Sequence, residues 1–398
     1  MRKIQLSPMT RRLMPLYIAA FLQNIPLWYA IEKLFMVGIG FNTASIGLMV
    51  AIMSIVMLIV ETPSGILADR WSRKGVMVLG CISLLVCAIV GALSYSEPVY
   101  IISTIFWGIY AALYSGTYDA VIYDTAMEVQ GKSGNFEKYL GRFRAVEGTA
   151  AVAGALSGGL IATSLNMRDT YFFSIPFILV ALFFIWKFKE PQLHKAEVAE
   201  PVFKHIRQTF AAVLRKPVLL PVVVAIVGFG AVLEILLELS QVWFIAVDTP
   251  LALYGVLTAA LYSTWTIGGL LAPKFHSKFA TSSLMVIMIA AIALLITARS
   301  IALVAAAQVI AAVCFVILGV ILVKKMHDEL PSRLRAGSSS VISTLARTLL
   351  IPGSLLITGV ANAYSIFTAT YILLGVVIVA SVAFLSINVL KKQEPASS

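Results

Sequence analysis

The sequence predicts an all-α integral membrane protein with about 12 transmembrane helices arranged as two pseudo-symmetric halves of six. Three observations carry this reading. Of 398 residues, 60% are hydrophobic and only 12% charged, and the mean hydropathy is +0.94. A soluble domain carries roughly 25% charged residues. The basic residues are confined to alternate loops. A ten-residue segment recurs at the matching place in each half.

The apolar runs are continuous, and several reach the ~20 residues needed to cross a ~30 Å hydrocarbon core. Barrel strands would show short alternating segments instead. Helices are therefore expected, since a backbone in lipid must pair its own polar groups. In chain order, spans are expected at 13–37, 43–68, 75–94, 99–122, 142–163 and 171–188. A second set is expected at 217–246, 251–273, 280–298, 301–323, 338–361 and 366–390. The first run is too long for a cleavable signal and reads as an uncleaved span. The polar stretch 189–216 separates a first bundle, 1–188, from a second, 217–398, and has a surface helix expected over 202–214. Cys81, Cys87 and Cys314 all fall inside apolar runs and read as small buried hydrophobes, with no metal site or disulfide.

Charge fixes an orientation. With both termini in the cytoplasm, the cytoplasmic segments hold 25 of the 30 Lys and Arg, and the outer loops only Arg168 and Arg299. Lys33, Arg144 and Arg347 lie in or at the ends of helices. The net charge of +11 thus reflects membrane topology, and nucleic acid is not an expected partner. A multi-pass protein of the inner (plasma) membrane is expected, as a monomer.

The two halves echo each other. Gly65-Ile-Leu-Ala-Asp69-Arg70-Trp-Ser-Arg73-Lys74 follows span two, and Gly269-Leu-Leu-Ala-Pro273-Lys274-Phe-His-Ser277-Lys278 follows span eight. The offset, 269 minus 65, is 204, and it also carries Asp124 onto Asp328. Duplicated halves place a substrate site near mid-membrane.

The segment Gly65 to Lys74 resembles the signature of the major facilitator superfamily, G-x-x-x-D-R-x-G-R-K, with Ser72 where Gly is usual. The resemblance implies two six-helix bundles rocking about a central cavity that spans one, four, seven and ten line. It also implies a latch. Asp69 would face the N-terminus of span eleven, where the helix dipole favours a carboxylate, and Arg73 would pair with Asp124. Gly65, Asp69, Arg70, Arg73, Lys74 and Asp124 form the expected latch set. The second copy lacks the acid and one base, so the latch is expected to be asymmetric.

Ionisable residues inside spans are costly and point to function. The coupling or substrate candidates are Glu32, Glu61, Asp119, Glu234 and Glu238. Glu234 and Glu238 are four apart and share a helix face. The repeat offset places Glu32 between them, so acid recurs at matching depth in both halves. Glu61-Thr-Pro63-Ser-Gly65 and the stretch from Ser115 to Asp124 resemble versions found in bacterial exporters of the superfamily. Glu61 and Asp119 are expected to face one another, either paired through Arg144 or coupling directly. Arg144 and Glu147 sit near the inner end of span five. On that span Gly154, Gly158 and Gly159 form a close-packing stripe, which resembles the family's antiporter motif with Ala150 and Ala155 replacing Gly and Pro. Pro352-Gly353 is expected to break or kink span eleven. Tyr110, Tyr114 and Tyr118 recur every four residues on span four. Such a stripe suits either packing or an aromatic cation.

These features predict no enzyme and no cofactor. All four histidines fall in expected cytoplasmic loops, where helix-borne haem ligation is impossible, and no nucleotide-binding loop G-x-x-x-x-G-K-[ST] occurs. The expected function is proton-coupled efflux of small lipophilic or cationic compounds by alternating access, with the proton gradient as energy source. The alternatives are proton-coupled uptake of a small polar metabolite and lipid translocation on the same fold.

Overall fold

The computed structural model of the protein describes residues 7–130, 136–191, 219–275, 277–329 and 332–393, apart from some side chains within those stretches, Asp69 among them. Arg2, Lys3 and the surface helix expected in the linker lie outside the described residues.

Every regular element among the described residues is helical. Among the described residues, eleven helices are long and apolar enough to cross a membrane. The first expected span is not one of them. It divides into α1 (Pro8–Gln23), a 3-10 turn (Leu27–Ala30) and α2 (Glu32–Gly38). The cause is local: Pro26 has no N–H to donate, and the residue before a proline is steered away from the helical region. Asn24 closes α1, its backbone N–H and its side-chain amide both donating to the carbonyl of Ala20, at 3.0 and 2.9 Å.

Span two is α3 (Thr43–Arg70) and span three is α4 (Arg73–Ala92). The fourth span departs from a continuous helix as well: α5 (Glu97–Tyr114) ends at Ser115-Gly116 and α6 (Thr117–Gln130) restarts. Gly116 has φ +74°, a region in which a side chain costs about 1–2 kcal/mol. The remaining helices are α7 (Phe136–Ser164), α8 (Asp169–Lys187), α9 (Leu219–Ala246), α10 (Leu251–Leu271), α11 (Lys278–Thr297), α12 (Ile301–Glu329), α13 (Ser332–Ala363) and α14 (Ile366–Gln393). α13 runs on through Pro352, so of the expected break or kink the break does not occur. One expectation is corrected here: His327 belongs to the last turn of α12, not to a loop. The three cysteines are free and buried, as expected.

The chain forms two compact units. The first comprises residues 1–41, 52–197 and 250–262. Within it α4 packs on α5 and α8, α1 packs on α8 and α7, and the 3-10 turn lies on α7. The small residues of α7 permit that last contact: a Cβ on Gly154 would stand 3.1 Å from the Ile25 Cα, and one on Gly158 would meet the Leu27 carbonyl. Gly159 closes on Gly255, in the stretch that groups with this unit, where a Cβ would lie 2.8 Å from its backbone nitrogen. The small-residue stripe on α7 is thus the bed on which the interruption of span one rests.

The second unit comprises residues 42–51, 198–249 and 263–398. Its central element is α9, packed against α12, α13 and α14. Of the membrane-spanning helices α9 is the most enclosed, with 72% of its apolar window buried. Trp243 is fully buried there and donates from Nε1 to Thr370 Oγ1 at 3.2 Å.

Candidate functional site

In the first unit the two helix interruptions meet. Asn24 lies at the end of α1 and Tyr114 at the end of α5, and the Asn24 amide donates to Tyr114 Oη at 3.0 Å. The Tyr114 hydroxyl in turn donates to Glu147 Oε1. The other Glu147 oxygen accepts from Arg144 at 2.9 Å. The second guanidinium nitrogen of Arg144 reaches both oxygens of Asp119, at 2.8 and 2.7 Å. The Gly116 interruption creates the N-terminus of α6, and Asp119 sits in that first turn, where the helix dipole also favours a carboxylate. One guanidinium thus holds two carboxylates, and the cluster has a formal charge of −1.

Arg144 engages Asp119, as one of the two expected readings had it, and also Glu147. Glu61 is partly buried on α3. Sequence reasoning left Glu147 outside the candidate site, although its i, i+3 spacing from Arg144 was a usable signal. The cluster is also accessible, the Arg144 side chain being 53% exposed and that of Asp119 35%.

An aromatic ladder leads away from this cluster. Tyr118, Tyr114 and Tyr110 follow one another at 4.4 and 5.5 Å between ring centroids. Trp107 lies 5.2 Å beyond Tyr110, and Tyr29 meets Trp107 edge-on at 5.1 Å. The buried Tyr118 hydroxyl donates to Gln23 Oε1 at 3.0 Å, so the last residue of α1 is also tied to this face.

Glu32 belongs to a separate group. It accepts from Lys33 and from the Tyr100 hydroxyl, the latter at 2.8 Å, and Tyr100 shares a 2.7 Å bond with Tyr171. Lys33 is buried beside it. A charged pair so enclosed reads as a local bond that satisfies both ions. Glu32 and Asp119 therefore have different partners.

The loop between α3 and α4 brings together part of the expected latch. Arg73 forms an ion pair with Asp124 of α6. Lys74 donates from Nζ to the Trp186 carbonyl at 2.5 Å. Arg70 is exposed in the last turn of α3, where a cation suits the dipole. Gly65 has no heavy atom of the described residues within 4 Å of a Cβ position. The Asp69 side chain lies outside the described residues. Glu190, which nothing in the sequence marked, takes the Ser72 hydroxyl at 2.7 Å and the backbone N–H groups of Arg73 and Lys74 at 2.6 and 3.2 Å. It thereby caps α4 together with Ser72, whose Oγ accepts from the Gly75 N–H. In the second copy Ser277 caps α11 by accepting from Ala280 at 3.0 Å. The caps are 205 residues apart, 277 minus 72, one residue off the sequence echo.

In the second unit, Glu234 is exposed in the middle of α9, although residues 231–233 and 235–236 are buried. Gly230, Leu237 and Glu238 are the other partly open positions nearby, and their spacing makes one stripe. Glu238 and Arg347 of α13 are within electrostatic reach of Glu234. Over residues 225–240 of α9 the open positions are Gly230, Glu234, Leu237 and Glu238, all on this stripe.

Multiple apolar spans, two of the helices interrupted, define a multi-pass membrane protein. The sequence profile of the Major Facilitator Superfamily matches residues 13–349, and the chain belongs to that family of transporters. No curated protein matches the chain in sequence. Among solved structures it is similar to a point mutant of the nucleoside transporter NupG, at TM-score 0.79 and 15% identity, over 94% of this chain and 99% of that one. It is also similar to an inward-facing, unoccupied bacterial homologue of the human lysosomal transporter Spinster, at TM-score 0.76 and 15% identity, over 99% and 100% of the two chains. At such identities the likeness establishes the fold alone.

Proposed function

We propose that this transporter exports small lipophilic or cationic compounds in exchange for protons, by alternating access. The carrying observation is the accessible Arg144–Asp119–Glu147 cluster below a ladder of aromatic rings. Its formal charge of −1 is cancelled by one proton or by one monovalent organic cation, so the two compete for the same place. Rings of the Tyr114 type offer π faces to a desolvated cation, an attraction of ~0.5–2 kcal/mol each. Glu234 and Glu238 on the open stripe of α9 are the second candidate group, with Arg347 as counter-charge. In this reading Arg73–Asp124, with Gly65, Asp69, Arg70 and Lys74, serves as a latch on the cytoplasmic side. The chain works as a monomer in the inner (plasma) membrane with both termini inside.

The test uses purified protein in liposomes loaded with a pH-sensitive dye. Addition of tetraphenylphosphonium should move protons in the opposite direction, and Asp119→Asn should abolish the signal while membrane insertion is retained. Transport with no pH dependence in the wild type would remove proton coupling from the account. The hydrogen-bonding side chains Asn24 and Gln23 beside the ladder favour one second reading, uptake of a polar aromatic metabolite. A nucleoside is a suitable probe, since the similar NupG is described as a nucleoside transporter. Inward accumulation of labelled nucleoside driven by an inward proton gradient would favour that reading.

A further inference from the structure

We infer that Tyr114 is a positioning residue that converts protonation of Glu147 into loosening of the break in span one. The inference rests on the proton-coupled reading above. It stands on the orientation of four consecutive hydrogen bonds.

Each bond in the chain has a fixed direction. Asn24 Nδ2 donates to the Ala20 carbonyl at 2.9 Å and to Tyr114 Oη at 3.0 Å. The Tyr114 hydroxyl has a single proton, and it is given to Glu147 Oε1. Glu147 Oε2 is held by Arg144. An ionised carboxylate accepts only, so the whole chain points toward Glu147. A proton arriving on Oε1 from the accessible side reverses that end. Glu147 then donates to Tyr114, and the Tyr114 proton needs a new acceptor. Asn24, already bonded to Tyr114, can accept it, and only through Oδ1. Turning the amide brings Oδ1 to Tyr114 and takes Nδ2 away from the Ala20 carbonyl. The Ala20 carbonyl then keeps only its backbone bond from the Asn24 N–H. No bond to carbon or nitrogen changes, and one proton is taken up from the medium.

The location gives this switch its effect. Asn24 begins the break between α1 and the 3-10 turn, and Tyr114 ends α5 next to the Ser115-Gly116 break. One hydroxyl therefore joins both interrupted spans to one carboxylate. The titratable and charged groups facing Glu147 are Arg144 on its own helix, Tyr110 and Tyr114 on α5, and Tyr118 and Asp119 on α6. α1 presents uncharged Asn24 and Gln23. The charges of α8 are at its ends, Asp169 and Lys187. Glu147 is the only carboxylate in this group bonded to Tyr114.

Amide hydrogen exchange of the full-length protein in nanodiscs tests the inference, read over residues 19–31 in mildly acidic and mildly alkaline buffer and corrected for the chemical exchange rate. The wild type should exchange faster in acid by about five- to tenfold, the worth of about one hydrogen bond. Glu147→Gln should exchange at the fast rate in either buffer, whereas Tyr114→Phe, which leaves the Asn24 amide on the Ala20 carbonyl, should exchange at the slow rate in either buffer. The Phe variant keeps the ring contacts to Tyr110 and Tyr118, so its effect isolates the hydroxyl. Tyr17→Phe, which loses a bond from α1 to the Tyr139 carbonyl of α7, should keep the wild-type pH step. A wild-type step that survives in Tyr114→Phe, or no step in the wild type, overturns the inference. The liposome proton signal is recorded in parallel. A pH step in exchange without proton-coupled transport leaves the switch standing and removes the exporter reading; coupled transport with an unchanged Tyr114→Phe step does the reverse.

Discussion

At the scale of single residues, Arg144 is the group whose shape matters most. Its planar fork places one nitrogen on both oxygens of Asp119 and another on Glu147. A lysine ammonium is a compact point charge and cannot hold two carboxylates in this fork geometry. Arg144→Lys is expected to lower transport at least ~10-fold, the effect of losing about 1.4 kcal/mol, while Arg144→Gln should abolish it. Both can be measured as dye-reported proton exchange. Thermal stability should change little, because the half-exposed pair contributes only about 1 kcal/mol. A large fall in melting temperature with normal transport would mark Arg144 as structural. Arg73 and Asp124 form a second ion pair, with side chains 24% and 22% exposed. A double-mutant cycle with Arg73→Ala and Asp124→Ala should return a coupling of ~0.5–1 kcal/mol in unfolding free energy. Additive losses would show that the pair contributes nothing.

At the scale of elements, the interruptions in spans one and four organise the site. Each follows from a local cause, Asn24-Ile25-Pro26 in the first and Gly116 at φ +74° in the second. Gly116→Ala should destabilise the protein by about 1–2 kcal/mol through the left-handed backbone alone, measured as a lower melting temperature in detergent. Gly158→Val is expected to do more, since its side chain would enter the space of the Leu27 carbonyl. Overpacking of that kind costs ~1–3 kcal/mol, and here it displaces the 3-10 turn as well. Loss of folded yield or transport is the expected result. A Gly158→Val protein of wild-type stability would show that α7 and the turn do not pack as described.

At the scale of the whole molecule, the alternation of basic loops sets the insertion. A cysteine introduced at Asn166 should react with an impermeant thiol reagent in intact cells, and one introduced at Ser72 only after permeabilisation. The reverse pattern would invert the proposed orientation. Beside the 204-residue echo of the loop motif, Ser72 and Ser277 do the same capping work one residue out of its register. It does not extend to the ion pair: Ser277 stands where Arg73 would be repeated, and Asp328 is exposed at the end of α12. Duplication preserved the helix start and left the charge pair to one half.

Composition and hydropathy by themselves determined the fold class, because a bilayer admits few ways of satisfying a backbone and an apolar run of ~20 residues has only one of them. The Gly65–Lys74 signature pointed to the family, and the scarcity of charge within spans singled out Asp119 and Arg144. Tertiary structure alone decided how they combine. The partner of Arg144 proved to be Glu147 as well as Asp119, and Glu32 was bound up with Lys33 and Tyr100. The sequence holds local causes for the interruptions in Pro26 and Gly116, although unbroken spans were expected there, and it holds no sign of their meeting at Tyr114. Contacts such as Asn24 to Tyr114 join residues 90 positions apart, and local sequence carries no record of which helix faces are brought together. Hydropathy registers that a segment prefers lipid; the direction of a hydrogen bond is decided only when the donor has an acceptor within reach.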